Sequence, residues 1–384
     1  MPWDERTRMD QRVRFIGALT SCAYTMTELC LAFGISRKTG YKWAKRYSQE
    51  GLDGLKDRSR APKRCPHRTE PRCEQALVEQ RRKHPHWGPR KLLVVLSRRH
   101  PKWGWPAAST AGEILKRHGL VEPRARRRQH PRPAKPVVEV RQPNDLWTAD
   151  FKGEFRMGDG QLCYPLTVAD QSSRYLLGCE AKSSVALAGV RPAFERLFAE
   201  YGLPTKILTD GGSPFAAARS PRRLSRLSVW WVLLGIEPVL IEPGHPEQNG
   251  CHERMHRTLK AATARPPASR MQTQQWAFDH FRQEYNEQRP HESLGMRQPA
   301  EFYTPSSRTY PQETPEVSYP GHYEVRCVRP KGEIKWRGRM LFVSETLGGQ
   351  RIGLEETDDG LWSVRFGPLL LGRYDERKES LDLL

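Results

Sequence analysis

Leu146-Trp147-Thr148-Ala149-Asp150-Phe151 is an apolar run of strand character with one carboxylate inside it. A second run, Ile207-Leu208-Thr209, ends on Asp210 and is followed by Gly211-Gly212. A third acid, Glu253, lies in Gly250-Cys251-His252-Glu253-Arg254-Met255-His256-Arg257-Thr258-Leu259-Lys260, which reads as a helix. A carboxylate inside or at the tip of a buried strand is costly unless something pairs it. Mg2+ takes few oxygen ligands from protein and keeps waters and substrate phosphates. Three carboxylates brought together would hold two such ions and clamp a scissile phosphate between them. Taken singly, each acid is an ordinary surface or cap residue; taken with their flanks, the three form a candidate catalytic metal site.

The flanks resemble a known family. Trp147-Thr148-Ala149-Asp150, Thr209-Asp210-Gly211-Gly212, and His245-Pro246-Glu247-Gln248-Asn249-Gly250 with Glu253-Arg254-Met255-His256-Arg257 are similar to the DDE core of insertion-sequence transposases, a core of the retroviral-integrase type. Tyr285-Asn286, Arg289-Pro290-His291, Leu294 and Pro299 resemble the segment that follows that core. The resemblance is close over residues 140–305 and looser over the whole chain. It implies a transposase that binds the ends of an insertion sequence. Water would cut at the element end and free a 3′-OH, which would then attack target DNA. Asp150 would bridge two Mg2+ ions, for which Mn2+ can substitute, with Asp210 and Glu253 flanking. Arg254, His256, Arg257 and Lys260 are candidate DNA-end contacts, although His252 and His256 also read as bystanders on a solvated helix. Double-stranded DNA and further copies of the chain are the implied partners.

Periodicity around these motifs agrees. Strand-like runs fall near 146–155, 161–169 and 174–181. Phe194, Leu197, Phe198 and Tyr201 follow at helical spacing, then a strand at Lys206–Thr209. A helix with Leu224, Leu227, Trp231 and Leu234, a strand at Pro238–Ile241 and the Glu253 helix complete the series. This is the element order of an RNase H-like fold. Trp230, Trp231 and Trp276 read as core. Met255 and Leu259 would pack on the sheet, leaving Glu253, Arg257 and Lys260 on a face toward the site. The intervals, 59 residues between the two aspartates and 42 between Asp210 and Glu253, suit a core bearing a loop. Glu247 competes as the third acid, but it sits in a Pro-containing approach. Asp170 reads as a cap on a turn.

Charge divides the chain. The net charge is +20; residues 1–140 carry 32 Lys and Arg against 13 Asp and Glu, and the remaining 244 carry 32 against 31. Such asymmetry marks a polyanion-binding part joined to a near-neutral one. Residues 9–20 read as a helix with Val13, Ile16 and Leu19 on one face. Thr25 to Glu28 forms a capping box, and a short apolar helix runs through Leu29, Leu31 and Phe33. Gly34 makes a turn, Ser36 caps, and a basic helix carries Arg37, Lys38, Tyr41, Lys42 and Lys45 toward DNA. That is a helix-turn-helix pattern.

The expected architecture is multidomain α+β. It comprises a helix-turn-helix domain over 1–57, a basic linker over 58–72, a second helical module (helix-turn-helix or winged-helix-like) over 73–122 and a basic arm over 123–140. The RNase H-like core spans 141–305, and a small β-barrel spans 320–384, serving either DNA contact or assembly. Cys65, His67, Cys73, His84 and His86 match no zinc spacing with two close pairs, so zinc is not expected. Eight scattered cysteines without a CxxC pair suggest reduced thiols. No long apolar stretch or signal peptide is visible, so a cytoplasmic, DNA-associated bacterial protein with no membrane role is expected. The other classes considered are a repressor without catalysis, which has no use for the three acids, and a metal-dependent nuclease, which would cut without joining.

Overall fold

The structure, a computed structural model, describes residues 7–58, 68–121, 138–242 and 244–384. Most of the basic linker and the basic arm, with Cys65 and His67, lie outside the described residues. The chain divides into two compact units, Met1–Arg68 and Thr69–Leu384.

The first unit contains α1 (Arg8–Thr20), α2 (Met26–Ala32) and α3 (Arg37–Glu50). Capping boxes start α1 at Thr7 and α2 at Thr25, and the Ser36 hydroxyl accepts from the Thr39 N–H to start α3. Each satisfies a backbone donor that the helix end leaves open. Gly34 takes the left-handed conformation the turn requires, at φ +63°. Gly40 lets α3 approach α2, because a Cβ there would stand 2.7 Å from Cys30 Sγ. The core is Phe15, Ile16, Leu29, Cys30, Trp43 and Leu55. Val13, read on one face with Ile16 and Leu19, is 40% exposed, and Leu31 of the short apolar helix is 80% exposed. In so small a unit Phe15 and Ile16 already fill the space under α1.

The second unit opens with three helices, α4 (Pro71–Lys83), α5 (Pro89–Arg99) and α6 (Ala108–Arg117), around Leu77, Trp87, Leu92, Leu96 and Ile114. His84 Nδ1 to Glu284 Oε1 at 3.0 Å, and Arg98 donating to Gln298 Oε1 and Met296 O, tie this module to the segment after the core.

The core itself is β1 (Leu146–Phe151), β2 (Phe155–Arg156), β3 (Leu162–Asp170), β4 (Leu176–Lys182), α7 (Leu187–Tyr201), β5 (Lys206–Thr209), α8 (Arg226–Leu233), β6 (Glu237–Leu240), α9 (Gly250–Thr263) and α10 (Met271–Gln283). The long strands lie in the order β4-β3-β1-β5-β6, with β2 also on β3. β1 is antiparallel to β3 and parallel to β5, which is parallel to β6. This is the RNase H-like arrangement. Side chains alternate across a strand, so Trp147, Ala149 and Ile207 pack under α7 and α8. Met255, Leu259, Phe278 and Phe281 of α9 and α10 cover the other face. Gln274, Phe278 and Phe281 set the inward stripe of α10; Trp276 falls off that stripe and is 63% exposed, against the core reading.

The C-terminal strands are β7 (Glu324–Cys327), β8 (Glu333–Trp336), β9 (Arg339–Phe342), β10 (Arg351–Asp358), β11 (Leu361–Phe366), β12 (Leu369–Asp375) and β13 (Ser380–Leu383). They form an antiparallel sheet in the order β13-β12-β11-β10-β7 and a separate β8–β9 hairpin. Among the described residues β7 and β13 remain edges, so the hydrogen-bonded ladder does not close into the barrel the short runs suggested. α8 is buried from Leu227 to Val232: Leu227, Trp230 and Trp231 enter the core cluster, whereas Val229 and Val232 enter the C-terminal one. A helix apolar around most of its circumference is stable only when enclosed in this way.

Trp231 is fully buried with its ring edge on Phe194, 5.0 Å between centroids. Trp231→Ala is expected to destabilise the Thr69–Leu384 unit by about 3–5 kcal/mol through the cavity it leaves. Urea unfolding checks this, and an unchanged midpoint would contradict the packing role.

Candidate active site

The pairing of β1 with β5 sets the site. Ala149 and Thr209 are the last paired residues of two parallel strands, and Asp150 and Asp210 are the next residue on each. Equal register and equal parity place both carboxylates at the same end of the sheet on the same face. Thr148 and Leu208, one step earlier in parity, lie on the face that α9 covers, and Thr148 touches α9 directly. The Asp210 carboxylate accepts from the Gly212 N–H at 3.1 Å.

α9 carries the third acid and is held by a buried polar clamp. Thr148 Oγ1 meets His252 Nδ1 at 2.8 Å. Thr167 Oγ1 meets His252 Nε2 and His256 Nε2, both at 2.6 Å, and donates to the Asp150 backbone oxygen at 3.1 Å. Thr167 has one proton for three partners, so at least one imidazole donates its Nε2–H to it. His252 and His256 are 2% and 3% exposed. Burial pushes His252 down to about 3, and burial, then the neighbouring His252 and Lys152, pushes His256 down to about 2. Both rings are therefore neutral at pH 7, and the 3.6 Å approach of His256 Nδ1 to Asp150 Oδ2 is a polar contact rather than an ion pair.

Asp150 has the most perturbed carboxyl of the site. Burial pushes it up to about 7; the charge of Asp210 adds to the push, the Phe151 N–H and Lys152 oppose it, and Glu253 adds again. The charges of Asp210 and Glu253 thus both reach Asp150 across the end of the sheet. Glu253 itself is exposed on α9, beside exposed Arg254, Arg257 and Lys260. His256, expected among the DNA contacts, has no surface to offer: the stripe 252, 255, 256, 259 is the one that faces the sheet. On α3, Arg37, Lys38, Tyr41, Lys42 and Lys45 are all exposed. Asp170 caps its turn as read, accepting from the Ser173 N–H and Oγ–H and from the Asn144 N–H at 2.6–2.8 Å.

Two donor sets compete for a cation. Asp150, His252 and His256 bring one ligand atom each within 4.8 Å of one another. His252 nevertheless has both ring nitrogens engaged by threonine hydroxyls, so this group is better understood as structural. The carboxylates are hard oxygen donors of the class that suits Mg2+ or Mn2+. Thr148, Thr167 and Lys152 were not singled out from the sequence. Period-two alternation in β1 puts Thr148 on the face of Asp150, and that was the signal available.

Comparison with known proteins follows this architecture. A family model described as integrase core domain matches residues 140–246, and a second of the same description matches 234–299. A helix-turn-helix domain model matches 11–63, a homeodomain-like domain model 39–115, and the C-terminal domain of IS481 family transposases 323–382. The chain is 28% identical over 236 residues to the insertion element IS476 uncharacterized 39.2 kDa protein of Xanthomonas euvesicatoria, covering 59% of this chain and 63% of that one. It is 26% identical over 242 residues to the transposase InsD of IS2 from Escherichia coli, covering 57% and 73%. The alignments thus span somewhat less than two thirds of the IS476 protein and 55% of an IS407 protein from Burkholderia multivorans. Among solved structures, the HTLV-2 integrase catalytic core domain in complex with magnesium is 14% identical with a TM-score of 0.34, over 44% of this chain and 99% of that one. A simian T-cell lymphotropic virus intasome chain is 17% identical with a TM-score of 0.36, over 77% and 97%. At such scores the fold assignment rests on the sheet order and the family models. Together these define a protein with an integrase core behind N-terminal helix-turn-helix domains. These similarities support an insertion-sequence transposase of the DDE class, with a core of the retroviral-integrase type.

The raised Asp150 carboxyl has a sign that can be tested. In the unfolded chain it titrates near 3.8 and in the folded, metal-free chain at about 7. The folded state holds the extra proton, so this group's contribution falls as pH rises from about 4 to about 7. Asp150→Asn is expected to stabilise the chain in EDTA at pH 8, by up to about 4 kcal/mol at roughly 1.4 kcal/mol per pH unit, with the advantage vanishing near pH 4. Mg2+ should raise the melting temperature of the parent at pH 8 and leave the variant unmoved. Equal melting curves at pH 8 would refute the like-charge cluster.

Proposed function

We propose that this transposase binds the ends of its insertion sequence and catalyses divalent-metal-dependent DNA cleavage and strand transfer through Asp150, Asp210 and Glu253. The observation that carries the reading is the equal register of Asp150 and Asp210 at adjacent strand ends, with Glu253 close enough for its charge to act on Asp150. The carboxylates of Asp150, Asp210 and Glu253 would hold Mg2+, or Mn2+ in its place. Bound there, such ions supply an activated oxygen nucleophile and charge relief on the scissile phosphate. The protein's own task is positional. The His–Thr clamp fixes α9, and α9 holds Glu253 within the tolerance that a metal site needs. Exposed Arg254, Arg257 and Lys260 on the same helix would meet phosphates of the DNA end. Arg37, Lys38, Tyr41, Lys42 and Lys45 of α3 would enter the groove of double-stranded DNA. Several copies would assemble on the two element ends, in the cytoplasm of a bacterial host. The C-terminal sheet, resting on α8, would serve DNA contact or assembly.

The inverted repeats flanking the reading frame are the substrate for the test. In Mg2+ the parent should nick and join them. Asp150→Asn and Glu253→Gln should each lose about 10³-fold or more, the scale on which removing one preorganised electrostatic stabiliser acts. Glu247→Gln should stay near the parent. An inactive Glu247→Gln beside an active Glu253→Gln would reassign the third acid, and joining by Asp150→Asn would overturn the site.

A separate expectation concerns α3. Lys42→Ala and Lys38→Ala should each weaken duplex binding and reduce the slope of log K against log salt by about 0.9, the effect of one lost phosphate contact. Fluorescence anisotropy over a salt series measures it, and unchanged slopes would remove α3 from the interface.

A further inference from the structure

A cleft of about 790 Å3 opens between α5 and α6 of the three-helix module and α9 with the segment after α10. Its charged lining is Arg90, Lys91, Arg174, Arg254, Arg257 and Arg289 against one acid, Glu292. Three of these cations are set partly inside the protein. Burial, then the charge of Arg289, pushes Lys91 down to about 8, and burial likewise lowers Arg289. Arg174 Nη1 is buried with no hydrogen-bond partner. Glu284, whose charge reaches Arg289, is taken up by His84 at 3.0 Å. Among the described residues none of Lys91, Arg174 and Arg289 forms a salt bridge.

The backbone reinforces the point. Arg174 has φ +65°, a conformation unfavourable for a side chain of its size. It follows the turn that the buried Asp170 carboxylate holds through Ser173. The fold therefore maintains a strained torsion, an unpaired guanidinium donor and a group of like charges in one place. Each is unfavourable in isolation, and a single anion relieves the last two. Arginine forks match phosphate oxygens bidentately.

α9 lies between this cleft and the acids: Arg254 and Thr258 line the cleft, and Glu253 adjoins Arg254 on the catalytic side. A helix is about 10 Å across, and one DNA strand advances about 3.4 Å along the axis per phosphate. The geometry points to a DNA-backbone phosphate held by Lys91, Arg174 and Arg289 roughly three nucleotides from the scissile bond, so that the strand crosses α9 between the two sites. The distance to the scissile bond rests on the cleavage reading above; the phosphate site itself does not.

The test uses the full chain in EDTA, where no cleavage occurs, and a short duplex of arbitrary sequence, with affinity followed over a salt series. Arg174→Gln is expected to bind more weakly at low salt and to lower the slope of log K against log salt by about 0.9. Its melting temperature should be unchanged or raised, because a buried unpaired donor has gone. Lys91→Gln, which leaves the β3–β4 turn intact, should shift the slope equally and covers the case in which Arg174→Gln fails to fold. Slopes equal to the parent in both variants would overturn the proposal, and a lowered melting temperature with an equal slope would mark the cations as structural. Protection of the parent by inorganic phosphate at matched ionic strength, with DNA slopes unchanged, would assign the cleft to a free anion and also overturn it. The slopes are read in EDTA, where no cleavage occurs, so failure of the catalytic reading leaves this result standing.

Discussion

The buried contact of His252 and His256 with Thr148 and Thr167 is the constraint on which the rest of the core depends. Asp150 and Asp210 are positioned by sheet register alone, which backbone hydrogen bonds enforce. Glu253 has no such guarantee, since it sits on a helix whose rotation and translation against the sheet are otherwise set by Met255 and Leu259. Apolar contacts are non-directional, whereas three hydroxyl–imidazole contacts of 2.6–2.8 Å have direction. They fix α9 to β1 and β3 at the very residues next to Asp150. The clamp also explains why both imidazoles stay neutral. A charged ring at either position would lack water, and at His256 it would also face His252 and the cation of Lys152.

Neutral histidines have a consequence in acid. Their folded-state values lie below the ordinary 6.5, so the unfolded chain binds protons first as pH falls, and stability is lost from about 6.5 downward. Asp150 acts in the opposite sense over an overlapping range. The clamp and the acid therefore oppose each other in pH, and a divalent cation held by the three carboxylates, as proposed, would remove the Asp150 side of that opposition.

Much of this was legible in the sequence because the signals were local. The apolar runs Leu146–Phe151 and Ile207–Thr209 marked the strands, and the capping residues Thr25 and Ser36 marked helix starts that the structure places where they were read. Asp170 was legible as a cap for the same reason. What escaped depends on angles and long-range packing. His256 was grouped with charged neighbours by adjacency, yet 252, 255, 256 and 259 form the buried stripe. Trp276 was taken as core from its chemistry, while the inward stripe of α10 passes through Gln274, Phe278 and Phe281. The short C-terminal strands signalled a β domain, but closure is a matter of partners, and β7 and β13 find none in that sheet beyond β10 and β12. Arg174 gave no signal at all, because only the fold brings it to Lys91 and Arg289 across more than eighty residues on either side.

The two sides of α9 then carry complementary faults. On one side the charges of Asp210 and Glu253 raise Asp150; on the other, Lys91, Arg174 and Arg289 lie partly buried and, among the described residues, form no salt bridge. Neither arrangement stabilises the chain alone, and folding must offset both through the aromatic and aliphatic clusters under α7, α8 and α10. The acids call for cations and the cleft calls for anions. A DNA strand with divalent cations at its scissile phosphate, as proposed above, would satisfy both at once, and part of the binding free energy would then be the relief of repulsion already present in the free protein. Groups preorganised in this way need no rearrangement when substrate arrives, which is where electrostatic stabilisation of phosphoryl chemistry is most effective.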